Sequence, residues 1–148
     1  MPSSSDELAL QQLMSSYCDL IDGGNIAAFA ALFADGAWGI VGDMASGADE
    51  VSAVLQNVIL YDGVPSTRHL SSNVCITVEP SGQSATATSC ITVMQHVPGD
   101  FPLQPIFVGT YHDTFAKKNG VWHFLERAIT PDLVGDMSRH RADMAQEP

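Results

Sequence analysis

The feature that most constrains this chain is a change of hydrophobic period part-way along it. Through about residue 60 the apolar side chains recur every three or four positions, the repeat of a helix with one buried face. Leu10, Leu13, Met14, Tyr17 and Ile21 mark a first helix, and Ile26, Phe29, Ala30 and Phe33 a shorter second one. Val51, Val54, Leu55 and Val58 mark a third over Ala48 to Leu60. After Asp62-Gly63 and Pro65 the repeat falls to two: Val74, Ile76 and Val78 alternate, and Ala85 to Val97 reads as a long Thr-rich strand. Ile106 to Ala116 and Val121 to Ile129 follow, joined across Lys117-Lys118-Asn119-Gly120, where Asn-Gly is the strongest short hairpin signal. Helices first and a strand meander afterwards predict an α+β fold. Its curved antiparallel sheet is wrapped by the N-terminal helices into a cone-shaped half barrel with a deep pocket.

Local punctuation sets the boundaries. Ser3 to Ser5 with Asp6 and Glu7 start the first helix, since they offer acceptors and negative charge to its unpaired amides. Asp22-Gly23-Gly24 stops it, Asn25 caps the second, and Asp35-Gly36 ends that one before a short extended piece, Ala37 to Val41. Pro98 to Pro105 reads as a loop, because its three prolines cannot donate to a ladder. Pro131 to Pro148 reads as a polar tail or loose helix. The 148 residues are expected to form one domain, 1–148, with its core at about 6–130.

Charge narrows the partners. Six Lys and Arg against 17 Asp and Glu leave a net charge of −11, which repels phosphate. Neither nucleic acid nor an anionic membrane is therefore an expected partner. Three cysteines, Cys18, Cys75 and Cys90, show no CxxC and no paired spacing, as in a reducing compartment. The N-terminus has no positively charged, apolar signal pattern, and Ile26 to Ala34 is the longest apolar stretch, so a cytoplasmic location is expected. No phosphate loop, GxSxG elbow or HExxH motif occurs, and the histidines lack metal-ligand spacing. Neither a cofactor nor a metal is expected.

The candidate chemistry lies in a few polar residues. Asp22 stands at a helix end, where an aspartate most often caps a turn. His69, in Thr67-Arg68-His69-Leu70-Ser71-Ser72-Asn73, precedes a strand; a histidine oriented by a carboxylate is a general base. Tyr17 lies on the buried stripe of the first helix with a hydroxyl that wants a partner. Thr110, His112 and Thr114 share one face of a strand, a polar face that suits a pocket lining, opposite Phe107, Tyr111 and Phe115. Arg127 shares a face with Val121, His123, Leu125 and Ile129, opposite Trp122 and Phe124. It either snorkels to solvent or lies in a cavity as a clamp for an anion or oxygen.

Five stretches, in order over roughly residues 8 to 130, resemble the nuclear transport factor 2-like superfamily, in its SnoaL-like and scytalone dehydratase-like branch. They are Leu13 to Asn25 with Tyr17-Cys18-Asp19-Leu20-Ile21-Asp22-Gly23-Gly24, Phe29 to Trp38, Thr67 to Asn73, Gly109 to Phe115, and Asn119 to Arg127. In the dehydratases of this branch an Asp closing the first helix pairs with a His opening a strand, positions matched by Asp22 and His69. A bile-acid dehydratase of the branch has a Tyr five residues before its Asp, as Tyr17 stands to Asp22, and a late Arg that Arg127 matches. The resemblance implies a cofactor-independent elimination on a small cyclic or polycyclic hydrophobic substrate. His69 takes the proton and Asp22 orients it. Tyr17 holds the carbonyl or departing hydroxyl, while Arg127, His112 or Asn73 polarises the oxyanion. Trp38 and Thr110 are expected to line the same pocket. The resemblance also implies a homodimer or homotrimer. Cys90 stands where scytalone dehydratase carries a second histidine, and Val41 where a steroid isomerase carries its aspartate base, with Asp43 two residues away. Isomerisation, polyketide-type cyclisation, or non-catalytic ligand binding and assembly are the alternatives.

Overall fold

A computed structural model describes residues 4–144, so Ser3 and the last four residues of the expected tail lie outside the described residues. Helix α1, Ser4–Asp22, forms over the predicted stripe and buries Leu10, Met14, Tyr17, Cys18 and Ile21. Helix α2, Ile26–Ala31, starts where the Asn25 side chain accepts the Ala28 amide at 3.3 Å. Helix α3, Gly47–Leu55, buries Val51 and Leu55. It is shorter than its apolar spacing suggests. Beyond Leu55 the backbone is taken by another partner: the Ile59 amide donates to the His140 carbonyl, and Val58 bridges to Arg141.

Six strands form one curved, unclosed sheet: β1 Ala37–Ile40, β2 Asp43–Ser46, β3 Thr67–Val78, β4 Ser84–Val97, β5 Phe101–Lys118 and β6 Val121–Val134. Their order is β2-β1-β6-β5-β4-β3. The β3–β6 meander is antiparallel as expected, but β1 runs parallel to β6, which makes the sheet mixed. The β5–β6 turn has Asn119 at φ 51° and Gly120 at φ 78°, the left-handed pair that an Asn-Gly hairpin requires. The four-residue β2 escaped the sequence reading because so short a segment cannot show a period.

Two expected irregular segments are strand. Phe101 to Pro105 pairs with β4 as the start of β5, and β6 continues through Pro131 to Val134. The prolines fit because each lies where one ladder has ended: β5 meets β6 only from Phe107 onward, and β1 stops beside Ile129. On such a one-sided stretch a missing amide costs no ladder bond. The described remainder of the expected tail, through residue 144, also packs. The Ala142 amide donates to the Asn57 carbonyl, the Tyr61 hydroxyl to the Arg139 carbonyl, and a short 3₁₀ helix, Ala142–Met144, ends the described chain.

The core lies between the helices and the inner sheet face. Phe29, Phe33, Phe115 and Phe124 are fully buried, with Phe33 and Phe124 rings 5.0 Å apart and nearly parallel. Each such side chain contributes about 1.5–3 kcal/mol. Strict alternation fails at two bulges. In β3, Ser72 faces Cys90 and Cys75 faces Thr88, so Asn73 and Val74 share one partner, with Asn73 at φ 53°. In β6, Phe124 faces Phe115 while Glu126 faces Thr114, so Leu125 is the extra residue. Arg127 is thereby moved onto the inner face with Trp122 and Phe124, opposite to the side assigned by plain alternation.

The turn after α1 lies hard against the loop before β3. Gly24 has φ 74°, and a Cβ added there would overlap the Gly63 carbonyl oxygen. Gly82, at φ 68°, has nothing within 4 Å of the same construction. Gly82→Ala is expected to lose about 1–2 kcal/mol for the left-handed backbone alone. Gly24→Ala adds the clash, roughly 1–3 kcal/mol more. Urea midpoints of the two variants measure this, and equal losses would contradict the close approach.

Candidate active site

The site is assembled where the end of α1 meets the start of β3. Strand β3 is an edge, so its outward amides have no strand to bond. Asp22 takes that role. Its Oδ2 accepts the His69 amide at 2.7 Å, and its Oδ1 accepts the Thr67 hydroxyl at 2.8 Å. The same Oδ1 lies 2.6 Å from Nδ1 of the His69 ring. Burial alone would raise the Asp22 carboxyl. The His69 ring and amide and the Thr67 hydroxyl outweigh it and hold the group below its ordinary 3.8. A carboxylate at Nδ1 fixes the imidazole with that nitrogen as donor and leaves Nε2 as the acceptor.

His69 lines a cavity of about 430 Å³ with Tyr17, Trp38, Phe107, Tyr111 and Ile129. The Tyr17 oxygen accepts from the Trp38 indole N–H at 2.9 Å and from the Tyr111 hydroxyl at 3.3 Å. With both bonds received, its own proton is free to point elsewhere. Burial raises the Tyr17 phenol above its ordinary 10.0 despite the nearby Arg127 charge, so it stays protonated at neutral pH. The hydroxyl is a donor, as sequence reasoning requires of a group meant to hold a carbonyl.

Arg127 does not line the cavity. Its guanidinium lies beneath it, 4.3 Å from the Tyr17 ring centre and 3.9 Å from that of Tyr111. Two 2.8 Å bonds join it to Asp113, and both side chains are almost wholly buried. Burial works against its charge, but the bonds to Asp113 prevail and keep the group ionised. The expected contact between Arg127 and a substrate oxyanion is therefore not available from this position, because the guanidinium is not part of the cavity lining. Removing one partner of so buried a pair costs about 3–5 kcal/mol.

Three other expected pocket residues lie elsewhere. His112 is exposed on the outer face of β5, and the Thr110 hydroxyl, on that same face, donates to Asp132 at 2.7 Å. The inner face of β5 is instead Tyr111, Asp113 and Phe115, so the polar alternation marked the outside of the sheet. Asn73 sits exposed in the β3 bulge, out of phase with His69. Trp38 is in place. Cys18 is buried with its Sγ 3.7 Å from the Ser71 hydroxyl, a packing position. Among the described residues no three His, Cys, Asp or Glu are grouped to hold a metal, and no helix is long and apolar enough to cross a membrane.

Sequence reasoning missed the wall supplied by the C-terminal segment. Met137, His140 and Arg141 line the cavity together with Val54 of α3 and Met44 of β2. The three-residue spacing of Met137 and His140 was the available signal; it reflects a turn in which the His140 amide donates to the Met137 carbonyl at 3.0 Å. Burial, with His69 and Arg141 nearby, pushes His140 down to about 4.

Residues 2–128 match the SnoaL-like domain, and the chain belongs to that family, within the nuclear transport factor 2-like superfamily. Among solved structures, a Nostoc punctiforme protein of unknown function with a cystatin-like fold is 25% identical over 88% of this chain and 93% of its own, with a TM-score of 0.72. A Novosphingobium aromaticivorans protein provisionally assigned as a scytalone dehydratase is 24% identical, covering 90% and 91%, with the same TM-score of 0.72. ActVI-ORFA from Streptomyces coelicolor is 20% identical, covering 85% and 97%, at 0.70. No curated protein matches the chain. Membership of the family supports a small-molecule-binding or catalytic role.

The depressed His140 gives a signed pH dependence. Unfolding frees it to bind a proton near its ordinary 6.5, so stability is full above that value and falls as pH drops toward about 4. His140→Phe is expected to flatten the stability profile between these values, read as urea midpoints across pH. An unchanged slope would contradict the buried neutral ring.

Proposed function

We propose that this cavity is the active site of a cofactor-independent lyase that eliminates water from a small cyclic or polycyclic hydrophobic substrate. The observation that carries the reading is the 2.6 Å contact between Asp22 Oδ1 and His69 Nδ1 with the ring in the cavity wall. Nε2 of His69 takes the proton from the carbon next to a carbonyl, and the C–H electrons move toward the carbonyl oxygen as an enolate. Tyr17 donates its free proton as a hydrogen bond to that oxygen, while Trp38 and Tyr111 steady the phenol. Asp22 stabilises the imidazolium that forms. The enolate electrons then return to form the C=C bond as the C–O bond of the neighbouring hydroxyl breaks. The imidazolium proton leaves with that hydroxyl as water, so His69 ends neutral and ready for another cycle.

Other parts of the reading rest on the cavity lining, the composition and the resemblance. The aromatic walls favour a flat apolar substrate, and the chain's −11 charge favours a neutral one over a polyanion. We assign the fold as one domain acting in a reducing, cytoplasmic setting as a homodimer or homotrimer, in keeping with the unpaired cysteines.

A panel of cyclic β-hydroxy ketones, followed by mass spectrometry, tests the chemistry. A product lighter by one water is expected. His69→Gln should lower kcat by roughly 10²–10⁴. Tyr17→Phe should lower it by about 10²–10³. A product of unchanged mass that still depends on His69 would assign an isomerase or cyclase instead. Turnover that survives His69→Gln would end the acid–base reading.

A further inference from the structure

His140 is held in place more firmly than a tail residue has reason to be. Its own carbonyl accepts the Ile59 amide at 2.9 Å. The preceding carbonyl, of Arg139, accepts both the Tyr61 hydroxyl at 2.6 Å and the Gln95 side-chain amide at 3.0 Å. Gln95, itself buried in β4, also donates to the Pro65 carbonyl at 3.2 Å. The loop before β3 and the segment carrying His140 are thus tied to one side chain. Those bonds converge on one result, which is an imidazole in the same cavity wall as His69.

The ring itself is left unpaired. His140 is 8% exposed, and its Nδ1 is buried with no hydrogen-bond partner. No other protein group bonds the ring among the described residues, so Nε2 is the edge by which it meets the cavity. With no protein partner on either nitrogen, a molecule in the cavity can bond the ring through Nε2. The charged and titratable groups that face the ring are His69 of β3, Arg141 beside it and Asp22 at the end of α1. The same cavity is lined by Tyr17, Trp38, Phe107 and Tyr111.

We propose that His140 is a ligand-contacting residue that hydrogen-bonds a hydroxyl on a flat, fused-ring molecule lying against the aromatic wall. A neutral imidazole carries one donor and one acceptor, and a hydroxyl can answer either. The site therefore selects hydroxylated aromatic or alicyclic ring systems over their bare hydrocarbon counterparts. This rests on the cavity being the ligand site, as the lyase reading holds, but not on the elimination step.

Equilibrium dialysis with 2-naphthol and naphthalene tests it on the intact protein. The wild type should bind 2-naphthol at least ten-fold more tightly than naphthalene. His140→Phe should reduce 2-naphthol to the affinity of naphthalene while naphthalene binding persists, which also reports that the variant is folded. His140→Gln, whose amide reaches the place of Nε2, should restore most of the preference, and His112→Phe, on the outer sheet face, should leave it. A preference that survives His140→Phe, or that disappears equally in His112→Phe, would overturn the assignment. Equal affinities in the wild type would do the same. If neither probe binds, the ligand-site reading fails and carries this one with it; if the preference holds but no elimination is found, only the lyase chemistry fails.

Discussion

The Asp22 carboxylate is the interaction on which the rest of the site depends. It ends the first helix, and with two oxygens it collects a hydroxyl, an amide and a ring nitrogen from the start of the first long strand. An edge strand leaves its outward amides open, and an acceptor at a helix end is a natural partner for them. Because two of its bonds go to His69, one through the backbone and one through the ring, strand position and side-chain direction are fixed together. A histidine held at two points loses little further freedom when it acts, which is the structural meaning of preorganisation in an acid–base site.

Beneath this pair lies a second layer that never touches the cavity. Arg127 and Asp113 form a closed ion pair under the rings of Tyr17 and Tyr111. A guanidinium against aromatic faces is favourable, more so when water is absent. Its positive charge works against the burial that raises the Tyr17 and Tyr111 phenols. The device requires Arg127 to point inward, and that depends on one extra residue, Leu125, in the last strand. A bulge thus decides whether an arginine faces solvent or supports the site.

Much of the fold was legible in the sequence because it is local. The stripe from Leu10 to Ile21, the Asn119-Gly120 hairpin and the long alternating strands state their structure within a few residues. What failed was also local in origin. The family resemblance offered Asn73 as a pocket residue, and plain alternation made the polar face of Thr110 and His112 the pocket side; a bulge and an ordinary outward face account for both. The prolines at 102, 105 and 131 suggested loops because no local rule shows that a neighbouring strand has already ended. The Asp22–His69 contact spans 47 positions and was visible only through family resemblance. The spacing of Met137 and His140 signals only a turn, since the place of His140 in the cavity wall depends on Tyr61, Gln95 and Ile59, three residues far from it in the chain.

The most direct measurement of the central claim is the tautomer of His69, read from the ¹⁵N shifts and long-range ¹H–¹⁵N couplings of its ring in the free protein at a pH where the ring is neutral. The account predicts a protonated Nδ1 donating to Asp22 and a bare Nε2 facing the cavity, with that preference lost in Asp22→Asn. A ring protonated at Nε2, or one indifferent to Asp22, would contradict it.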